Sequence, residues 1–163
     1  MEKKEKRAII DTVHKPFYAS GFLYHSPTQQ ILLHLTSPSV SWSLFGHENK
    51  KSEAPETVFH GVIQKHFSIK LSPKSIHAVY DYFHEKLGKN HFVLYAEIKV
   101  GKTKCKSKKG MQVEWFTFKQ LSKLPLDEQT KRDILVAQRV INMVARDLQT
   151  PEEKAAIALL HKR

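Results

Sequence analysis

The sequence predicts an α+β domain, a mixed sheet flanked by helices at about 54–67 and 127–148. Three observations carry that reading. Runs with strand character and runs with helix character follow one another in the order strands, helix, strands, helix. Two pairs of β-rich runs are each joined across a short turn-forming segment. Both helical segments repeat apolar residues at the spacing of a helix with one face on a core.

Residues 1–16 form a basic N-terminal segment with Lys3, Lys4, Lys6 and Arg7, and the charged start MEKKEKRAII has no apolar stretch behind it, so it does not read as a secretory signal. A main domain is expected over 17–149 and a short C-terminal helix over 150–163. Runs 17–25 (FYASGFLYH) and 31–36 (ILLHLT) are separated by Ser26-Pro27-Thr28, a hairpin-like pair. Trp42-Ser43-Leu44 closes the next apolar stretch, and FGHENKKSE (45–53) follows as a glycine turn. Pro55 stands where a helix can start. Val58, Phe59, Val62, Ile63 and Phe67 then mark one face, although Gly61 in its interior costs about 1 kcal/mol relative to alanine.

Runs 76–84 (IHAVYDYFH) and 91–100 (HFVLYAEIKV) flank Leu87-Gly88-Lys89-Asn90, a second hairpin signal. The lysine-rich segment GKTKCKSKKG (101–110) leads to a short strand within 111–118. From about Asp127 a long helix is expected, because Ile134, Ala137, Ile141, Val144 and Leu148 keep helical spacing. Thr150-Pro151-Glu152-Glu153 starts the last short helix as a capping box.

Composition bounds the function. The 163 residues suit one domain with a core of its own. No apolar run approaches the roughly 18 residues of a membrane span. Cys105 is the only cysteine, which excludes an internal disulfide, and the expected location is cytoplasmic. Lys and Arg number 27 against 16 Asp and Glu, a formal charge of +11 that favours anionic partners: nucleotides, RNA or acidic surfaces. Lys102, Lys104, Lys106, Lys108 and Lys109 are the densest part of that field and the expected polyanion-binding set. Cys105, among these lysines, stands where a thiol pKa is lowered, but no base or partner for it is identifiable. The ten histidines include no HxxxH or CxxC spacing. His77, His84 and His91 can approach across the second hairpin, and Tyr80, Tyr82, Phe92 and Tyr95 can stack on a base or fill a core. His34 reads as packed or hydrogen-bonded.

The chain resembles the Nudix hydrolases from about Phe17 to Leu148. The hairpin before the loop, the Trp42-x-Leu44-x-Gly46 entry, the helix length and the Val113-Glu114-Trp115-Phe116 strand before a closing helix all match that family. Its signature is a glycine, five residues, a glutamate, seven residues, then Arg-Glu-aliphatic-x-Glu-Glu-x-Gly-aliphatic. With Glu53 as the first glutamate, the first glycine falls on His47, beside Gly46, and the arginine on Gly61. The helix carboxylates fall on Val62, Lys65 and His66, and the late glycine on Ser68. Glu53, Ile63 and Ile69 keep the pattern.

The resemblance implies a sheet-and-helix site that holds Mg²⁺ against a nucleoside-diphosphate-type substrate. Mg²⁺ wants oxygen donors in octahedral array, and the chemistry uses it to offset phosphate charge and activate water. A valine has no donor, a lysine has the wrong sign, and an imidazole suits softer ions. The expected function is therefore binding of a nucleotide or other diphosphate-type ligand with hydrolysis lost or weakened. Gly46, His47, Lys65 and His66 are the candidate ligand contacts, and Lys65 is placed to meet phosphate oxygens directly. Two alternatives stand beside it. One is an active Mg²⁺ hydrolase that uses Glu48, Glu53 and Glu56, with Glu53 the candidate catalytic residue and Glu53 and Glu56 the candidate metal ligands. The other is a basic RNA- or protein-binding module on the same scaffold.

Overall fold

The computed structural model describes residues 15–36, 40–49, 52–99, 105, 111–148 and 151–161. The N-terminal basic segment up to residue 14, the five lysines of the 101–110 segment and Thr150 lie outside them.

Alternation along the first strand organises the domain. In β1 (Phe17–His25), Phe17, Ala19 and Leu23 enter one apolar cluster, while Phe22 and Tyr24 enter another on the opposite face. A strand with apolar residues on both faces must be covered twice. Among the described residues six further strands join it: β2 (Gln30–Thr36), β3 (Ser41–Ser43), β4 (Phe45–Glu48), β5 (Ile76–His84), β6 (Lys89–Ile98) and β7 (Val113–Thr117). The order is β3-β2-β1-β6-β5, with β4 beside the first half of β1 and β7 on the outer edge of β2. The sheet is mixed: β1 and β6 run parallel from Phe17↔Asn90 to His25↔Ile98, and the other pairs are antiparallel.

One face is covered by α1 (Pro55–Phe67), which buries Val58, Phe59, Val62, Ile63 and Phe67. Pro55 opens it, since the missing N–H is an orphan there in any case. It ends at Ser68, whose left-handed backbone (φ 55°) lets its N–H donate to the Gln64 carbonyl at 2.9 Å. The other face is covered by the short α2 (Phe118–Leu121) and by α3 (Glu128–Asp147). Thr117 and Gln120 form a reciprocal capping box on α2, and Asp127 accepts a 2.7 Å bond from the Thr130 N–H at the start of α3. The buried positions of α3 stop at Ile141, so Leu148, expected on the apolar face, is 79% exposed where the helix has outrun the packed surface. A last helix, α4 (Pro151–His161), follows, and its described side chains are exposed.

The expected α+β sheet with helices on both faces is therefore the observed architecture. Boundaries differ by a residue or two: β6 starts at Lys89, because the hairpin pairs His84 with Lys89 rather than opening a longer loop. Cys105 is buried in the α1-side cluster, and burial pushes its thiol up to about 11, opposite to the lowering expected among lysines.

Two glycines make opposite forecasts. A Cβ at Gly21 would lie 2.2 Å from the Leu94 carbonyl oxygen and 2.9 Å from the Phe59 ring, forcing β1 and β6 apart. Gly21→Ala is expected to destabilise by about 3 kcal/mol or more, at the upper end of overpacking costs. At Gly61 a Cβ would meet nothing within 4 Å, so Gly61→Ala should stabilise by about 1 kcal/mol. Urea unfolding of the two variants checks both signs.

Candidate functional site

β4 carries the glycine turn, and its pairing with β1 sets two cavities side by side. Gly46 lies opposite Ser20 in the antiparallel register. A Cβ there would come within 2.6 Å of the Tyr18 hydroxyl and 2.8 Å of the Ser20 Cβ. The absent side chain thus lets β4 lie flat against two residues that line the larger cavity, while Gly46 itself lines the smaller one.

The smaller cavity, about 230 Å³, lies along the exposed edge of α1. Gly46, His47 and Glu48 form one wall; Glu53 closes the loop end; Gly61, Val62, Lys65 and His66 form the helix wall. The structure thus brings together Gly46, His47, Lys65, His66 and Glu53 from the sequence-derived set. Glu56 is exposed on the first turn of α1 and does not border the cavity. Asn49 fixes the end of the β4 wall, its Oδ1 accepting from the Phe17 N–H at 2.6 Å.

The donor set does not fit Mg²⁺. Of the two carboxylates on this cavity, Glu48 is held through Oε1 by the Lys89 ammonium at 2.6 Å, a bond that pulls its pKa below the usual range. Glu53 is the other. Among the described residues no three His, Cys, Asp or Glu side chains come close enough to share an ion. An octahedral ion with one available carboxylate would keep nearly all its water.

The larger cavity is a cleft of about 980 Å³ between the sheet and the start of α3. Its floor is a hydrogen-bonded chain: Ser20 Oγ lies 2.6 Å from His91 Nε2, and His91 Nδ1 lies 2.8 Å from the Tyr82 hydroxyl. The Tyr18 ring stands edge-on to the same imidazole. Burial, then the neighbouring His84, push the His91 pKa down to about 4, so the ring is neutral near pH 7. On the α3 wall, Asp133 is 2% exposed, and its Oδ1 accepts from the Tyr80 hydroxyl at 2.5 Å and from Gln129 Nε2 at 2.8 Å. Burial raises the pKa of Asp133 and of both tyrosines, and the carboxylate adds to the rise at the tyrosines.

No protein-family model matches the chain, and no curated protein matches it in sequence. Solved structures do match in shape. A MutT/Nudix family protein from Listeria innocua superposes with a TM-score of 0.61 at 12% identity, over 82% of this chain and 97% of that one. The Nudix domain of Shewanella oneidensis NrtR, solved with ADP ribose, gives 0.57 at 15% identity over 77% and 86%. The C-terminal domain of mouse MUTYH, solved with human PCNA, gives 0.59 at 10% identity over 79% and 91%. The fold is the Nudix fold. At these identities the likeness is one of architecture. The resemblance puts the signature segment on α1 and the loop before it, and the smaller cavity runs along them. Ser68 takes the left-handed backbone at the position where the signature has its late glycine.

The remaining sequence-derived residues fall elsewhere. His34 is hydrogen-bonded as expected, with Nε2 2.9 Å from the Leu44 carbonyl, and burial lowers its pKa. His77 stacks on Tyr95, which is buried, and Phe92 packs edge-on to Phe17. Of His77, His84 and His91, only His84 and His91 are ring neighbours in the cleft, where Tyr82 bonds His91 and lies beside His84. Tyr18, Ser20, Gln129 and Asp133 were not singled out from sequence. Their signal was there: polar residues at every second position of a two-faced strand, and an acid one residue before Ile134 on the apolar stripe of a helix.

A pH forecast follows from His91. Its folded pKa of about 4 lies below the ordinary histidine value of 6.5, so below pH 6.5 the unfolded chain takes up a proton that the native state refuses. Stability should fall between pH 6.5 and 4, by up to roughly 3 kcal/mol from this residue. Urea midpoints at pH 4.5 and 7 should differ in the wild type, and His91→Gln should shrink that difference.

Proposed function

We propose that this Nudix-fold domain binds a nucleotide or other diphosphate-type ligand and has lost Mg²⁺-dependent hydrolysis. The observation that carries the reading is the smaller cavity: it is kept as a cavity while Val62, Lys65 and His66 occupy the positions that the resemblance assigns to carboxylates. With a lysine on that wall, phosphate oxygens meet an ammonium directly instead of a bridging metal ion. The larger cleft, on the other side of Gly46, takes the non-phosphate part of the ligand. Its floor and wall are neutral or hydrogen-bonded, as suits a sugar or a heterocycle. The Shewanella NrtR Nudix domain, whose structure holds ADP ribose, supports a diphosphate of this size on the same fold.

The basic surplus gives a second reading for large polyanions such as RNA. Lys102, Lys104, Lys106, Lys108 and Lys109 form a dense, sequence-blind field whose attraction weakens as salt replaces released counterions. The two anion sites separate by mutation.

Calorimetry with ADP and ADP ribose, with and without Mg²⁺, tests the proposal. Binding is expected without metal, and Lys65→Ala should weaken it about tenfold, the scale of one charge-assisted hydrogen bond. RNA binding should be nearly unchanged in Lys65→Ala but lose salt slope when Lys106, Lys108 and Lys109 are neutralised together. Robust Mg²⁺-dependent turnover that Glu53→Gln abolishes would overturn the reading in favour of a rebuilt active site.

A further inference from the structure

Asp133 is placed differently from every other carboxylate among the described residues. It sits at 2% exposure on the α3 wall of the cleft, where burying a charge is expensive unless its oxygens are bonded. One oxygen is satisfied in full. Oδ1 accepts from the Tyr80 hydroxyl and from Gln129 Nε2, and two donors occupy both of its lone pairs. The other is not. Oδ2 accepts no hydrogen bond from a described residue, and Asp133 lines the cleft, so Oδ2 is the oxygen left for a ligand there. The floor beside it differs in kind. Ser20, His91 and Tyr82 form a chain of neutral groups whose hydroxyls can turn to donate or accept. Asp133, held in place and acceptor-only when ionised, cannot adapt.

We propose that Asp133 selects the heterocycle of the ligand, accepting through Oδ2 a hydrogen bond from an N–H on the edge of the ring. The inference rests on the nucleotide-binding reading above and adds the residue that discriminates among bases. A fixed carboxylate oxygen rejects an acceptor in two ways: it leaves its own lone pairs unpaired, and it sets two partial negative charges together in a poorly solvated wall. The tie between Oδ1 and its two donors makes the site invertible. In Asp133→Asn those donors hold the amide oxygen in the place of Oδ1, which leaves the amide NH₂ facing the cleft. An acceptor becomes a donor with almost no change of shape.

The test uses the full chain at pH 8, with CDP against UDP and ADP against IDP as probes. Within each pair, one member carries a donor where the other carries an acceptor, at both the exocyclic group and the adjacent ring nitrogen. Whichever atom meets Oδ2, the wild type is expected to favour one member by about 10- to 100-fold, the range for a hydrogen bond to a charged group. Asp133→Asn should reverse the order. A merely structural Asp133 would change both affinities together and leave their ratio alone. A variant that binds with the wild-type order, or a wild type that binds both members equally, overturns the assignment while leaving the nucleotide site standing. If none of the four nucleotides binds, the nucleotide site itself is overturned, and the assignment with it. A second arm needs no variant. Removing every N–H from the donor nitrogen of the favoured member, with two methyls on an exocyclic amine or one on a ring nitrogen, should abolish the wild-type preference, and retained affinity for that analogue overturns the proposal even if Asp133→Asn does not fold.

Discussion

The pairing of β1 on both of its edges is the constraint on which the rest depends. Its parallel partner β6 runs beside it from Phe17 to His25, while β4 and then β2 share the other edge. A strand enclosed in this way has no freedom of register, because a one-residue slip would exchange its two faces. Its odd positions are committed to α1 and its even positions to α3. The same alternation turns Tyr18 and Ser20 toward the cleft and Phe17 and Ala19 into the opposite core. Gly21 then has no choice of side chain. It stands on the α1 face, where Phe59 and the Leu94 carbonyl already fill the space. Gly46 is its counterpart on β4, where a missing side chain leaves room for the Tyr18 hydroxyl.

The two cavities that result differ in their electrostatics. In a metal-dependent phosphate site the divalent ion is the largest local charge, and the carboxylates exist to hold it. On the α1 wall here the carboxylate positions offer an apolar group, a lysine and an imidazole, while Glu48 is already satisfied by Lys89. One lysine carries half the charge of a magnesium ion and orients no water. Such a wall offers a phosphate a point charge and offers a divalent ion few oxygen donors. Val62 borders the cavity but packs into the α1-side core cluster, and it brings no donor to the wall.

The fold was legible in the sequence because periodicity reports burial. Phe59, Ile63 and Phe67 on α1, and Ile134, Ala137 and Ile141 on α3, are apolar at helical spacing and are buried. Leu148 fits the same pattern but is exposed, since spacing cannot say where a packed surface ends. The smaller cavity was legible too, because Gly46, His47, Glu53, Lys65 and His66 lie within one strand-loop-helix and their order implies their proximity. The cleft was not. Ser20, His91, Tyr80 and Asp133 come from β1, β6, β5 and α3, and only the sheet order and the crossing of α3 bring them together. The 71 residues that separate Ser20 from His91 carry no local trace of that hydrogen bond.

The character of the cleft follows from its burial more than from its residue types. Imidazole, phenol and carboxyl groups are titratable, yet here desolvation pushes each toward its neutral form: His91 down, Tyr80, Tyr82 and Asp133 up. The rim is mixed, with Lys86 and Arg132 against Glu85, Asp127 and Glu128. A rim of mixed sign and a neutral floor exert little long-range pull on an anion, so on the proposed reading the attraction for a phosphate is left to the α1 side and to the net charge of +11. What the cleft can supply is discrimination. A fixed acceptor such as the Asp133 carboxylate acts over one hydrogen bond, and a mismatch leaves a buried group unpaired. On the proposed reading attraction and discrimination lie on different elements, Lys65 on α1 and Asp133 on α3, so the two can be altered independently.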